Sequence, residues 1–216
     1  TLRGPRGGMV LCTEEFAEHV DKGCPIVLGG PIPQAIAAKA VALTEASRPE
    51  FKTYARRIVD NARALAEACL AEGMTVATGG TDNHMLLVDV RPFGLTGRQA
   101  ESVVRECGIT LNRNALPFDT NGPWYTSGLR IGTPAVTTLG MGAAEMKEIA
   151  AILHLILSNT RPAVIQSGPN AGKPSRANYV LDDAARAEAR ARVKTLLDNY
   201  PVYPELDLAF LQKHFS

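Results

Sequence analysis

The sequence predicts a mixed α/β fold in which amphipathic helices alternate with short apolar strands. Helical spacing follows the turn at Gly30, where apolar residues recur on one helix face: Ile32, Ile36, Ala40 and Leu43. The run Met85–Val90 is apolar enough to form a strand. Thr96 followed by Gln99 three residues later forms a capping box, a signature of a helix start. Helices and strands are therefore expected in one chain.

In the first part of the chain the patterns predict helices separated by turns. Glu14–Val20, with Thr13 as its N-cap, predicts one or two helical turns. The glycines and prolines of Gly23–Pro31 predict a loop, and the helix that begins near Ile32 follows it directly. Pro49 interrupts that helix, and a second helix should end near Gly73. Its apolar face is Phe51, Tyr54, Ile58, Ala62, Leu65 and Cys69.

Beyond Gly73 the pattern changes to short strands set between helices, which predicts a small α+β unit. Further strands are predicted at Ile109–Asn112 and Gly128–Ile131. Helices are predicted from Thr96 to Gly108, over Gly142–Ser158 and from about Asp183 to Tyr200. The segment Gln166–Arg176 is rich in Gly, Pro, Ser and Asn and predicts a flexible connector.

Composition and charge argue against several classes of protein. The 216 residues are 45% hydrophobic and 21% charged, as in a globular protein with a sizeable core. A net charge of +1 offers no basic field for nucleic acid. The cysteines lack Cys-x-x-Cys spacing and stand apart from the histidines, so neither a metal site nor a disulfide framework is expected. Without an apolar stretch of roughly 20 residues or a signal-peptide pattern, no membrane partner is expected and the expected compartment is the cytoplasm.

The opening run Thr1–Gly8 combines three glycines, a proline and two arginines, as in tight turns beside an anionic group. On composition alone it could equally be a basic tail. However, it strongly resembles the segment after the cofactor lysine in serine hydroxymethyltransferases, Thr-Leu-x-Gly-Pro-Arg-Gly-Gly. Other blocks match that family in the same order: Gly29-Gly30-Pro31 with Ala38–Leu43, Glu50–Tyr54, Gly79–His84, Thr126–Ala135 and Tyr200–Tyr203. Ordered blocks of this kind are far more specific than a single motif.

The resemblance covers nearly the whole chain and implies a fold-type I pyridoxal-phosphate-dependent transferase. Residues 1–45 would then complete the large cofactor-binding domain, and 46–73 would form an interdomain helix. Residues 74–216 would form the small C-terminal α+β domain. Thr1 falls directly after the family's cofactor lysine, so the chain is expected to be the C-terminal half of a longer protein.

Arg130 is the first candidate site residue. In the predicted strand, Leu129 and Ile131 share one face, so Arg130 lies on the other, between Gly128 and Gly132. A guanidinium suits a carboxylate because its planar fork donates two parallel hydrogen bonds. The resemblance implies that Arg130 binds the substrate carboxylate. The structural alternative is a strand-edge arginine paired with a neighbouring Asp or Glu.

Three residues are candidates for contact with the cofactor. The resemblance implies that Gly29 and Gly30 offer backbone N–H groups to the phosphate of the neighbouring subunit's cofactor, whereas the alternative is a plain turn before a helix. It also places Arg6 near the cofactor, where it could instead only pin its loop. The chain departs from the family in Cys24–Leu28, because the family has Phe-Pro-Gly-Gly-Gln there and only the second glycine pair is kept.

A last group of candidates matches the family's folate-binding region. Asn114 could offer a donor and an acceptor to a pterin edge, and Trp124 offers a flat face. The family more often has Ser-Pro-Phe where this chain has Gly122, Pro123 and Trp124, so a serine contact is lost. The alternative is a polar turn with one packed aromatic. Asp82 and His84 suggest an acid–base pair, but their block, Gly79–His84, is better interpreted as a strand entry whose side chains bind loop N–H groups.

The resemblance implies the reversible conversion of serine and tetrahydrofolate to glycine and 5,10-methylenetetrahydrofolate. Pyridoxal 5'-phosphate would be the cofactor, tetrahydrofolate the co-substrate, and the active sites would be shared in a homodimer or a tetramer. Three alternatives stay open. They are a related threonine or phenylserine aldolase, a non-catalytic paralogue that acts as a partner subunit, and a small binding module.

Overall fold

The structure, a computed structural model, describes residues 2–206 and 208–215. It divides into two compact units, one ending at Ala55 and one beginning at Arg56. Within the described ranges, no helix is both long enough and apolar enough to cross a membrane. In chain order the elements are α1 (Glu14–Ile26), α2 (Pro33–Ala46), α3 (Pro49–Ala71), β1 (Thr75–Val76), β2 (Met85–Asp89), α4 (Gly97–Glu106), β3 (Asn112–Asn114), α5 (Gly122–Tyr125), β4 (Gly128–Gly132), α6 (Pro134–Thr138), α7 (Ala143–Ser158), β5 (Thr160–Val164), β6 (Pro174–Leu181), α8 (Asp183–Asn199) and α9 (Leu208–Phe215).

The first unit contains an N-terminal loop, α1, α2 and the start of α3. The prediction of a loop over Gly23–Pro31 is wrong in its first part, because α1 continues to Ile26. Cys24 leaves the helical conformation, yet the N–H groups of residues 27 and 28 both bond back to the Gly23 carbonyl and close another turn. Composition alone does not reveal such a kinked extension.

The two helices predicted around Pro49 are confirmed. α2 and α3 each begin on a proline, Pro33 and Pro49, at a position where the missing N–H would have had no helical partner. The C-terminal part of α3 buries the apolar face that the sequence predicts, including Ile58, Ala62 and Leu65.

The second unit contains a four-stranded antiparallel sheet with the order β1-β2-β4-β3. One face of this sheet packs against α4 and α7 and forms the core, as the alternation of burial along β2 and β4 indicates. Its buried members include Leu86, Val88, Leu129, Ile131, Val103, Val104, Ile152 and Leu153. The opposite face of the sheet carries two of the candidate site residues, Arg130 and Asn114.

The capping box predicted for α4 is present in full. The Thr96 hydroxyl accepts the Gln99 N–H at 3.2 Å, and the Gln99 carboxamide oxygen accepts the Thr96 N–H at 2.9 Å. The Gln99 amide nitrogen also donates to the carbonyls of Ser175 and Asn178, both at 2.8 Å. The cap therefore fixes the start of α4 and also ties it to β6.

The strand predicted over Ile109–Asn112 is wrong at its start, because β3 occupies Asn112–Asn114. Gly108 adopts a left-handed conformation, and the Ile109 N–H bonds back to the Val104 carbonyl. This is the usual closing turn of a helix with a C-terminal glycine. Ile109, which the apolar pattern assigned to the strand, therefore belongs to the turn that ends α4.

The predicted connector Gln166–Arg176 is also wrong. β5 and β6 pair antiparallel, and the segment between them is a hairpin closed by hydrogen bonds between Ile165 and both Gly172 and Lys173. Gly168 and Gly172 have positive φ, which allows the reversals of direction. The same glycine-rich composition suits a linker and a long hairpin loop. The last predicted helix is confirmed as α8, whereas α9 was not predicted.

Candidate functional site

Arg130 lies in the middle of β4, an inner strand of the four-stranded sheet. Its neighbours Leu129 and Ile131 are buried and its own side chain is exposed, as the alternation of the strand predicts. Leu87 of β2 and Asn112 of β3 flank it in register, so the backbone is held on both sides. Among the described residues no carboxylate pairs with its guanidinium. Arg130 is therefore neither at a strand edge nor held by an ion pair, and its fork is available to a carboxylate ligand.

Asn114 shares the sheet face of Arg130. In antiparallel strands directly opposed residues point to the same side, and Asn114 is opposite Gly128, two residues before Arg130. The Asn114 amide nitrogen donates to the neighbouring Ala115 carbonyl at 2.8 Å. No described residue donates to its carboxamide oxygen, which leaves an acceptor and one N–H for a ligand.

Trp124 presents most of its indole to solvent. It lies in the short helix α5, after Gly122 and Pro123, and 60% of the residue is exposed. The guanidinium carbons of Arg98 and Arg113 lie 5.2 and 5.6 Å from the ring centroid, within cation–π range. The ring is thus oriented by two cations and keeps area for stacking. The alternative of a packed aromatic does not describe this side chain.

Asp119 is a residue that the sequence analysis missed. Its carboxylate accepts the N–H groups of Leu116, Asn121 and Ser127 and the Ser127 hydroxyl, at 2.7–3.1 Å. Burial raises the pKa of the Asp119 carboxyl, but these hydrogen bonds together hold that pKa below its usual range. The sequence signal that could have found it is an Asp two residues before Asn121 in a turn-rich stretch, which is typical of an Asx turn.

A pocket of about 550 Å³ lies beside β2, a volume within the range of small-molecule sites. It is lined by residues 77–83 with Met85, Leu86, Leu87 and Pro117. Leu87 is the register partner of Arg130, and Pro117 belongs to the segment that follows Asn114. The open sheet face and this pocket are therefore adjacent.

The side chains of the block Gly79–His84 agree in part with its interpretation as a strand entry. The Asn83 carboxamide oxygen accepts the Met85 N–H at 3.0 Å, and the Thr81 hydroxyl accepts the Asn83 N–H at 3.2 Å. Asp82 instead pairs at 3.3 Å with Arg63, and its side chain is 98% exposed. Thr81 and Asn83, rather than Asp82 and His84, shape the entry into β2.

The cofactor candidates Arg6, Gly29 and Gly30 lie in the first unit, and all three are exposed. Neither glycine N–H has an acceptor within residues 2–206 and 208–215. A Cβ built at Gly30 would meet nothing within 4 Å, and α2 begins three residues later at Pro33. The Arg6 loop is held by Lys39, whose ammonium donates to the Gly8 carbonyl at 2.9 Å. Thr1, which the resemblance predicts to follow the family's cofactor lysine, lies outside the described residues.

Comparison with known proteins identifies a single family. The family model described as serine hydroxymethyltransferase matches residues 1–153. A serine hydroxymethyltransferase of Treponema pallidum (strain Nichols) is 57% identical over 216 residues, which is all of this chain and 37% of the relative. The enzymes of that name from Salinispora tropica and Chlamydia muridarum are 56% and 50% identical and cover 96% and 98% of this chain. The chain spans about two fifths of the length of these relatives.

Proposed function

The chain belongs to the serine hydroxymethyltransferase family, and we propose that it is part of an enzyme that interconverts serine and glycine with tetrahydrofolate as the one-carbon acceptor. We further propose the fold-type I architecture, with residues 1–45 in the large domain, 46–73 as the interdomain helix and 74–216 as the small domain. The proposal includes pyridoxal phosphate as cofactor, a homodimer with shared sites and a cytoplasmic location.

Arg130 is the observation that carries the proposal. It is an exposed arginine without a carboxylate partner among the described residues, on a strand that is held from both sides. Two parallel hydrogen bonds to the amino-acid carboxylate would fix the orientation of the substrate as well as its position. By fixing the carboxylate, Arg130 selects which bond at the α-carbon is aligned for cleavage. For serine this would be the bond between Cα and Cβ.

The glycine pair fits a phosphate group. Gly29 and Gly30 offer N–H groups that have no acceptor within the described ranges, beside the start of a fourteen-residue helix. The lack of any atom within 4 Å of a Cβ at Gly30 leaves room for a ligand to approach the backbone. When bound, pyridoxal phosphate supplies the electron sink that weakens the bonds at the substrate's α-carbon. Arg6 adds a positive charge in the same unit.

Tetrahydrofolate would be bound from the second unit. Asn114 keeps its carboxamide oxygen for a pterin N–H, and Trp124 keeps most of its ring surface for stacking. Gly122 and Pro123 set the start of the short helix that carries this ring. Because Asn114 and Arg130 lie on one sheet face, the folate and the amino acid would meet on that face.

The test measures serine cleavage by the full-length protein with and without tetrahydrofolate. We expect the cofactor's absorbance in the purified protein and strong acceleration of serine cleavage by tetrahydrofolate. Cleavage that is indifferent to tetrahydrofolate would instead assign the protein to the related aldolases. A protein that binds no pyridoxal phosphate would be the non-catalytic paralogue, and the proposal would be wrong.

A further inference from the structure

The segment from Ala115 to Ser127 connects two elements of the candidate site, and a single carboxylate organises it. Each carboxylate oxygen of Asp119 accepts two hydrogen bonds. Oδ1 accepts the Asn121 N–H at 2.8 Å and the Ser127 hydroxyl at 2.7 Å. Oδ2 accepts the Leu116 N–H at 3.1 Å and the Ser127 N–H at 2.7 Å. The carboxylate therefore joins the beginning and the end of the segment.

A second link reaches the same segment from the β5–β6 hairpin. The Arg176 guanidinium donates to the Asn121 side-chain oxygen at 2.7 Å and lies 4.2 Å from the centroid of the Tyr125 ring. The Asn121 amide nitrogen in turn donates to the Ser127 hydroxyl at 2.9 Å. Arg176, Asn121, Ser127 and Asp119 thus form one connected network. Arg176 lies beyond residues 1–153, the part that matches the family model.

The backbone of this segment adopts a shape that local preference disfavours. Phe118 and Thr126 have positive φ, at 57° and 55°, which is unfavourable for residues other than glycine. The Asp119 bonds span this strained stretch from Leu116 to Ser127 and offset its cost. Asn114 immediately precedes the segment and Trp124 lies within it.

Arg130 does not depend on this network. It is flanked in register by Leu87 and Asn112, in a strand that is paired along both edges. Loss of the Asp119 bonds would thus release the folate-side residues while the carboxylate-binding strand keeps both of its partners. A positioning role of Asp119 would therefore affect the folate side alone, whereas a general contribution to folding would affect both sides.

We propose that Asp119, with Arg176 as its outer support, is a positioning residue for the folate side of the site, acting through the shape of the 115–127 segment. This inference rests on the proposed function. It assigns no direct contact with substrate to either residue. Its consequence is that tetrahydrofolate binding can be weakened while binding of the amino acid is retained.

The first test is Asp119→Asn in the full-length holoenzyme. Whichever way the carboxamide is oriented, its NH2 group faces two of the four former donors, so the segment loses part of its closure. We expect the KM for tetrahydrofolate to rise about tenfold, the scale of one charge-assisted hydrogen bond. The KM for serine and the folate-independent cleavage of a bulky 3-hydroxy amino acid should stay within about twofold of wild type.

Glu145→Gln is the matched control. Glu145 also accepts a backbone N–H, from Gly142, and a hydroxyl, from Tyr200, both at 2.8 Å, but it caps α7 and is remote in sequence from the segment. This variant should leave the KM for tetrahydrofolate unchanged. An equal rise in both variants would overturn the proposal, as would an Asp119→Asn enzyme in which folate-dependent and folate-independent activities fall together.

Arg176→Met decides the question if Asp119→Asn does not fold, because Arg176 is exposed. Its expected effect is a rise of about threefold in the KM for tetrahydrofolate, since it removes an outer link only. Arg161→Met is its control, because Arg161 is an exposed arginine of the same hairpin.

An unchanged KM for tetrahydrofolate in Arg176→Met would overturn the role of Arg176 and, where Asp119→Asn is not obtained, the proposal. A wild-type enzyme without folate-dependent activity would instead contradict the proposed function.

Discussion

Arg130 allows function and stability to be tested separately at the scale of one residue. Its side chain is exposed and has no ion-pair partner within the described residues, so little folding energy depends on it. Arg130→Lys should lower kcat/KM for serine by the equivalent of about 2–4 kcal/mol, because an ammonium cannot reproduce two parallel hydrogen bonds. The melting temperature should be unchanged. Steady-state kinetics and a thermal melt check both.

The opposite result would reassign the residue. Near-normal catalytic efficiency together with a clearly lower melting temperature would make Arg130 a structural arginine. Arg105→Lys is a suitable control, because Arg105 is an exposed arginine whose one carboxylate partner among the described residues is Glu101, one turn earlier on α4. It should change neither the kinetics nor the melt.

The placement of a site residue was predictable where a local pattern determines it and not where the fold creates it. The alternation around Arg130 predicts its exposed face correctly, because period two is a property of any strand. For Asp119 the sequence offered no more than an Asx-turn signal, because its four donors come from Leu116, Asn121 and Ser127, which the fold brings together. The roles of all the candidate residues stay predictions, namely those of Arg130, Arg6, Gly29, Gly30, Asn114, Gly122, Pro123 and Trp124.

At the scale of elements, local signals predicted most helices and two of the strands. The capping box fixed the start of α4, and prolines fixed the starts of α2 and α3. The errors have one cause, which is that the same composition serves two structures. Apolar Ile109 ended a helix rather than starting a strand, and the glycines of 166–176 closed a hairpin rather than forming a connector.

Gln99 tests the junction between α4 and the hairpin. Its side chain is buried and makes the capping contact as well as two bonds to β6 carbonyls. Gln99→Ala should destabilise this region by about 2–4 kcal/mol, because it removes the cap and takes the amide donor from the carbonyls of buried Ser175 and of Asn178. Amide hydrogen exchange should accelerate in both α4 and β6. The control is Gln166→Ala, an exposed glutamine that bonds only to Val164.

Faster exchange confined to the first turn of α4 would show that the capping box acts alone. In that case the bonds from Gln99 to Ser175 and Asn178 would contribute little to the hairpin. Equal effects of the Gln99 and Gln166 variants would contradict the prediction altogether.

At the scale of the whole molecule, the candidate residues divide by ligand. The cofactor candidates belong to the first unit, and the amino-acid and folate candidates to the second. The first unit also leaves many apolar side chains exposed, among them Leu11, Ile26, Val27 and Leu28. Exposed apolar area of this kind is typical of a surface that another protein segment covers. This agrees with the proposal that the complete protein forms shared sites in a dimer.

Gly30 provides the test of sharing, because a Cβ there meets no atom of the described residues within 4 Å, whereas Gly29 has a φ of +78° that would strain any substitution. Gly30→Val should therefore fold normally and weaken cofactor retention by occupying the space of the phosphate. The full-length variant is then mixed with chains whose cofactor lysine is replaced, and active sites are counted in the heterodimer.

If Gly30 serves the partner's phosphate, the pocket of the Gly30→Val chain combines its own intact lysine with the intact glycine of the other chain, and both defects fall in the second pocket, so one site works. Wild-type chains mixed with the lysine variant should keep one active site per dimer, which shows that heterodimers are competent. No active site in the Gly30→Val mixture would mean that Gly30 acts within its own chain, and full activity of the Gly30→Val homodimer would mean that Gly30 has no role in binding the cofactor. Counting sites by active-site titration distinguishes the two arrangements, because cross-subunit donation predicts one active site per heterodimer and donation within a chain predicts none.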